Sequence, residues 1–243
     1  MKIAVFTALF AAEIFALGHY IKIMYPKISW NTLLSKALCS LIFVATAIIA
    51  QAFSEGGLSM NTMLAAFICS FFGDVFLHVY PKPGSEIVNY ALGGVSFLAG
   101  HILYIISFAN AEKGYILPEN ILAIQLAAAA VLCAAVNILM RVFGLKLGKV
   151  FTVPVIIYSF ALMIMVVKAV TLGIMFVSSG EGILPAVIIS IGATAFAASD
   201  IVLASDFFTG GKDIKKKTAN MILYYGGQML LATSLLWINL VER

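Results

Sequence analysis

Two aspartates lie within membrane-length apolar stretches, Asp74 in SFFGDVFLHV and Asp200 in AFAASDIVLASDFF. No lysine or arginine lies within four positions of either aspartate, so neither has a strong counter-ion nearby on its own helix. An ionised carboxylate at the centre of a bilayer costs at least about 2.5 kcal/mol, and residues placed at such a cost usually line a cavity and have a function. The chemistry open to two such acids is acid/base catalysis or proton relay.

The composition is that of an integral membrane protein. Of 243 residues, 63% are hydrophobic and 11% are charged, whereas soluble domains contain about 25% charged residues. The net charge of +4 is spread over short loops and does not indicate nucleic-acid binding. The three cysteines lie in apolar runs, and neither they nor the histidines show metal-ligand spacing. We therefore expect no disulfide and no metal.

Eight stretches of the sequence are long and apolar enough to cross a bilayer, which takes about 20 residues. The first is interpreted as a retained span and not as a signal peptide. None of the stretches alternates with period two, which favours helices over a barrel. The fold class predicted is all-α, a single transmembrane domain over residues 1–243 with a bundle of eight transmembrane helices at 2–22, 33–53, 61–80, 87–109, 118–140, 150–176, 183–208 and 218–240.

The distribution of Lys and Arg predicts the orientation. Eleven of these residues fall in or beside the first, third, fifth and seventh loops, and three fall on the side that holds both termini. By the positive-inside rule the odd loops are cytoplasmic and both termini are non-cytoplasmic. Lys168 is left inside the sixth span, where we expect its ammonium to extend to the outer surface. The short loops favour a prokaryotic plasma membrane, with the endoplasmic reticulum as an alternative.

This topology gives the polar residues of the spans a common depth. Asp74 and Asp200 fall roughly 10 Å inside the cytoplasmic boundary, from a rise of about 1.5 Å per residue. His101 falls deeper, near the midplane. We predict one pocket that opens toward the cytoplasmic leaflet, and the other candidate residues near its layer are Glu13, Lys36, Tyr158, Ser199, Tyr224, Tyr225 and Gln228.

An internal repeat is a further hypothesis. The pattern SxxGDxxL around Asp74 parallels FxxSDxxLA around Asp200. Asp74 precedes His101 by 27 residues, and Asp200 precedes Gln228 by 28. A duplicated four-helix unit would explain these spacings and would bring the two aspartates face to face.

Five segments resemble the successive motifs of the YhhN family, the lysoplasmalogenases. In chain order they are SFFGDVFLHV, GGVSFLAGHILYIISFA, PVIIYSFALMIMV, GATAFAASDIVLASDFF and ILYYGGQMLLATSLL. The resemblance runs from Lys36 to the last span and leaves out the first. Gly227 stands where an alanine is usual in the family, and Ala37 stands where a proline is common. Neither departure involves an acid.

The resemblance implies a hydrolase that cleaves the vinyl ether of a lysoplasmalogen, an alkenyl-glycerophosphoethanolamine or -choline, to a fatty aldehyde and a glycerophospho-alcohol. No cofactor is expected, and the partners would be a lysophospholipid substrate and membrane lipids. Asp74 and Asp200 would be the catalytic pair, one protonated and one ionised, as in glycosidases. Lys36 would meet the lipid phosphate, and the residues that orient water or the ether would come from Tyr158, Ser199, Tyr224, Tyr225, Gln228, His101 and Glu13.

Two functions of other classes fit the same residues. The first is a proton-coupled transporter of small molecules or lipids that uses the two acids as a relay. Carriers often contain helices broken near the midplane, but Pro154 and Pro185 fall near predicted helix starts, where proline is tolerated. The second is a lipid-binding protein without catalytic activity.

Overall fold

The computed structural model describes residues 2–25, 29–54, 58–78, 86–142, 148–210 and 213–238. The ends predicted for the third and eighth spans, 79–80 and 239–240, lie outside the described residues. Within these ranges the chain forms eight α-helices, and the all-α prediction is confirmed. They are α1 (Lys2–Ile23), α2 (Trp30–Phe53), α3 (Leu58–His78), α4 (Glu86–Glu112), α5 (Ile121–Val142), α6 (Lys149–Ser178), α7 (Ile183–Phe208) and α8 (Ile214–Ser234).

Seven helices in the described part of the chain, α1 to α7, are long and apolar enough to cross a membrane. The protein is therefore a polytopic membrane protein. Eight spans were predicted, but α8 is not apolar enough to be counted among the membrane-crossing helices. The reason lies in its composition, since α8 opens with Lys215, Lys216 and Lys217 and buries Asn220 and Gln228 inside the bundle. A helix that is covered by other helices does not need an apolar surface toward lipid.

Six helices form a closed ring. Around it α2 packs on α3, α3 on α4, α4 on α6, α6 on α7, α7 on α8, and α8 again on α2. Outside the ring, α1 lies on α2 and α8, and α5 packs on α6. Aromatic rings fill the interior with edge-to-face contacts, which aromatic pairs favour, and the largest fully buried ones include Phe43, Phe67, Tyr104, Phe196 and Tyr225.

The packing supports the internal repeat. When each helix is replaced by the one four places later, and α8 by α4, the contacts of the first half recur in the second. The contacts α1–α2, α2–α3, α3–α4 and α2–α8 become α5–α6, α6–α7, α7–α8 and α6–α4. The register matches as well: Gly100 of α4 approaches the carbonyl oxygen of Ala66 in α3, and Gly227 of α8 approaches that of Gly192 in α7. These pairs differ by 126 or 127 positions, and 126 also separates the two aspartates.

Candidate active site

Asp200 is buried in α7 and faces α6 and α4. Tyr158 of α6 donates a hydrogen bond from its hydroxyl to Oδ2 of Asp200 at 2.6 Å. Nε2 of His101 in α4 lies 3.2 Å from the same oxygen. His101 was expected deeper in the membrane than Asp200, yet the two side chains meet. Both contacts engage Oδ2, which leaves Oδ1 for a ligand as far as the described residues are concerned.

The tautomer of His101 follows from its other nitrogen. Nδ1 is hydrogen-bonded to the carbonyl oxygen of Phe97, one turn earlier in α4. Since a carbonyl oxygen only accepts, Nδ1 carries a hydrogen. Nε2 has no aligned hydrogen-bond partner among the described residues, despite its closeness to Asp200. The lone pair of Nε2 therefore faces Oδ2 of Asp200 at 3.2 Å.

A cavity of 580 Å³ leads to Asp200. It extends from that residue toward the mouth end, which we define as the end of the bundle where α3, α5 and α7 finish and α4, α6 and α8 begin. Asp200 is the one acid among the described residues that line the cavity, and the walls are otherwise largely apolar. Toward the mouth end the lining consists of Ile87, Tyr90, Val150, Phe207 and Phe208.

Asp74 belongs to a second polar cluster. Its Oδ1 lies 3.0 Å from Nζ of Lys36. Its Oδ2 accepts hydrogen bonds from Ser40 at 2.7 Å and Tyr224 at 2.8 Å. Lys36 is 2% exposed and its ammonium is engaged with Asp74, whereas its contact with a lipid phosphate stays a prediction. A buried carboxylate requires such a counter-ion.

An aromatic wall separates the two clusters. The centroid of the Tyr224 ring lies 5.8 Å from that of Phe97 and 5.5 Å from that of Phe196. The centroid of the Phe196 ring lies 4.9 Å from that of the His101 ring. Among the described residues the two aspartates share no hydrogen-bond partner, and their action as a catalytic pair stays a prediction. Each contacts the preceding helix of its own half and the last helix of the other half.

The comparison with protein families fits this arrangement. The YhhN family model matches residues 31–235. The chain belongs to the YhhN family. This family includes lysoplasmalogenases, and the match contains every residue of the Asp74 and Asp200 clusters. The predicted resemblance is thereby confirmed, and α1, with Glu13, precedes the matched residues. No curated protein and no solved structure matches the chain.

The remaining candidates of this YhhN protein lie around the two clusters. Tyr225 donates to the carbonyl oxygen of Lys36 at 3.3 Å. Gln228 accepts from Tyr104 at 2.8 Å, and Ser199 donates to the backbone of Phe196 at 2.6 Å. Glu13 is buried, and neither of its carboxyl oxygens has a partner in the described structure. None of these four side chains bonds to the Asp200 carboxyl in the described structure.

Sequence reasoning missed Ser40 and underestimated Lys168. Ser40 lies four residues after Lys36, a spacing that puts both on one face of α2, and this was the available signal. Lys168 does not reach the outer surface, because it is 5% exposed and bonds to Glu112 of α4 and Gln125 of α5. Nothing in the sequence of α6 could have indicated these contacts of Lys168, because both partners are on other helices.

Proposed function

We propose that this YhhN protein hydrolyses the vinyl ether bond of lysoplasmalogens within the membrane. The observation that carries the proposal is the contact between Asp200 and His101 at the deep end of an apolar cavity. Cavities of about 300–1,000 Å³ are typical of small-molecule sites, and one of 580 Å³ is in that range. A lipid chain in a bilayer is already in an apolar phase, so moving it between these walls carries little transfer cost.

The reaction needs a proton donor more than a nucleophile. A proton added to the β-carbon of the vinyl ether gives an oxocarbenium ion at the carbon that bears the ether oxygen. Water adds to that carbon and loses a proton, which forms a hemiacetal. The hemiacetal then collapses to a fatty aldehyde and the glycerophospho-alcohol, and the proton balance is restored. Glycosidases pass through a similar cation with carboxyl groups on hand.

We assign the proton donor to the pair formed by Asp200 and His101. The bond from Nδ1 to Phe97 fixes the imidazole, and in this proposal a proton bound between Nε2 and Oδ2 of Asp200 is the one to be transferred. After transfer, the Asp200 carboxylate lies beside the cation and can accept the proton that water loses. Tyr158 also donates to Oδ2, so the free Oδ1 is the oxygen that accepts the proton from water.

Asp74 acts in this proposal as a positioning residue. Lys36 and Ser40 fix its carboxylate, which accepts the hydrogen bond from the hydroxyl of Tyr224. The ring of Tyr224 packs against Phe97 and Phe196, and both of these residues contact His101. The division of labour predicted for two facing carboxyls thus becomes one reacting acid, Asp200, and one acid that acts through an aromatic ring.

The test is release of fatty aldehyde from a lysoplasmalogen by the purified protein in detergent micelles. Asp200→Asn is expected to remove activity while the protein stays folded. Glu181→Gln is the matched control, because Glu181 lies at the opposite end of the bundle and bonds to Tyr115. Full activity of Asp200→Asn, or absence of aldehyde with the unaltered protein, would contradict the proposal.

A proton-coupled carrier is the second candidate, and the repeat is the observation that favours it. Some carriers consist of two parallel repeats around an axis along the membrane normal. Against it, α6 and α7 run as continuous helices through Pro154 and Pro185. Reconstituted liposomes separate the two functions: a carrier accumulates intact lysolipid in response to a pH gradient, whereas a hydrolase forms aldehyde without one.

A further inference from the structure

A buried polar cluster joins three helices at the end opposite the mouth end. Nζ of Lys168 in α6 donates to Oε2 of Glu112 at 2.7 Å and to the amide oxygen of Gln125 at 2.9 Å. The amide nitrogen of Gln125 donates to Oε1 of Glu112 at 2.7 Å. Glu112 is the last residue of α4 and Gln125 is near the start of α5, so this cluster fixes the two helices together at this end.

Toward the mouth end the same two helices stand on either side of the cavity. Ala91 and Val95 of α4 line it, as do Val136 and Met140 of α5. There α5 is held by α6, since Nδ2 of Asn137 donates to the hydroxyl of Ser159 at 2.9 Å. The α4 side of the cavity continues onto the outer surface of the bundle, where Val95 is 66% exposed.

The other half of the repeat is closed at the equivalent place. By the repeat, α1 and α8 correspond to α5 and α4. In the described part of the chain α1 packs directly on α8, while α5 and α4 make little contact. Tyr20 of α1 is buried and its hydroxyl lies 2.7 Å from Nε2 of His78. The gap between α4 and α5 thus has no counterpart between α1 and α8, and it lies beside the cavity that leads to Asp200.

We propose that the gap between α4 and α5 is a lateral entrance from the bilayer, through which the hydrocarbon chain of a single-chain phospholipid reaches Asp200. This inference rests on the proposed function for the identity of its ligand. The headgroup stays at the membrane surface by the mouth end while the chain slides between the two helices. The chain moves from lipid to an apolar wall, so little transfer free energy opposes its entry.

The cluster of Glu112, Gln125 and Lys168 serves as the fixed end of this entrance. It holds α4 and α5 together at the end opposite the mouth end, so the gap between them is confined to the mouth end. Breaking a buried ion pair is strongly destabilising, which keeps that end closed.

The first arm of the test measures binding and does not depend on activity. The unaltered protein in liposomes is irradiated with a 1-O-alkyl lysophosphatidylethanolamine that carries a diazirine in its chain, and the labelled peptides are identified by mass spectrometry. Labels are expected within residues 87–98 and 136–140, and excess unlabelled lysolipid should remove them, whereas two-chain phosphatidylethanolamine should not. Labels spread evenly over the lipid-facing surface, or equal competition by the two-chain lipid, would overturn the entrance.

The second arm measures kinetics. Val95→Trp and Val136→Trp are expected to raise KM for a long-chain lysoplasmalogen about tenfold, and to raise KM for a short, water-soluble vinyl ether by less. Val131→Trp is the matched control, because Val131 is exposed on α5 and is not among the cavity-lining residues. An unchanged KM in both variants would overturn the entrance. Absence of aldehyde with every substrate would overturn the proposed function and leave the labelling result to decide the entrance.

Discussion

Nζ of Lys36 lies 3.0 Å from Oδ1 of Asp74, and both side chains are almost completely buried. Three donors from α2 and α8 therefore converge on one carboxylate, namely the Lys36 ammonium and the hydroxyls of Ser40 and Tyr224. This is the arrangement that a buried charge requires, because an uncompensated one would be costly. It also makes Asp74 a structural anchor for Tyr224, whose ring packs against Phe97 and Phe196.

The ion pair predicts an asymmetric effect on stability. Lys36→Met is expected to lower the free energy of unfolding by about 3–5 kcal/mol, because it leaves the Asp74 carboxylate buried without its counter-ion. The double variant Lys36→Met/Asp74→Asn should recover part of that loss, since no charge remains. Denaturation of the purified protein in mixed micelles measures both values. A Lys36→Met protein as stable as the unaltered one would show that the pair is not a stabilising element.

His101 is expected to be required for the chemical step. His101→Gln removes the imidazole that shares a proton with Asp200, and general acid–base catalysis contributes about 10²–10⁴-fold to a rate. We expect kcat for aldehyde release to fall by a factor in that range, with KM little changed. His19→Gln is the control, because His19 is exposed on α1. Equal rates for the two variants would remove His101 from the mechanism.

The close approach of α7 and α8 predicts a sharp difference between neighbouring glycines. A Cβ at Gly227 would lie 2.7 Å from the backbone nitrogen of Phe196 and 2.9 Å from the carbonyl oxygen of Gly192. Gly227→Ala should therefore destabilise the protein by about 1–3 kcal/mol, the usual cost of overpacking. Gly226→Ala, where a Cβ would meet nothing within 4 Å, should leave stability unchanged or slightly improved. Thermal unfolding of the two variants compares them directly.

The packing of α8 also predicts the topology. Gly192 lies against Leu231 and Gly227 against Phe196, so α8 runs antiparallel along α7. Since α7 is long and apolar enough to cross the membrane, we expect α8 to return across it and both termini to lie on one side. Epitope tags at the two ends, probed with protease in right-side-out and inverted vesicles, should be cleaved together. Cleavage of the tags in opposite vesicle preparations would show that α8 does not cross.

The sequence by itself determined the helices, the family and the residues of interest. Runs of about 20 apolar residues are sufficient to predict α1 to α7. Every backbone N–H and C=O in the bilayer must be hydrogen-bonded within the protein, and a single apolar segment achieves this only as a helix. The nearly equal spacings after Asp74 and Asp200, 27 and 28 residues, also indicated the repeat, since a duplicated unit keeps its register. The partners of each aspartate were a different matter: Lys36, Tyr224, His101 and Tyr158 all lie on other helices.

Only the tertiary structure decided how these residues are grouped. In a membrane protein, lipid-facing and buried side chains are equally apolar, so hydropathy does not reveal which face of a helix is inside or which helices are neighbours. Hence the sequence did not show that α4 crosses to Asp200 and α8 to Asp74, or that aromatic rings separate the two acids. For the same reason the sequence did not show that α5 stands apart from α4, whereas the corresponding helices of the repeat, α1 and α8, pack together.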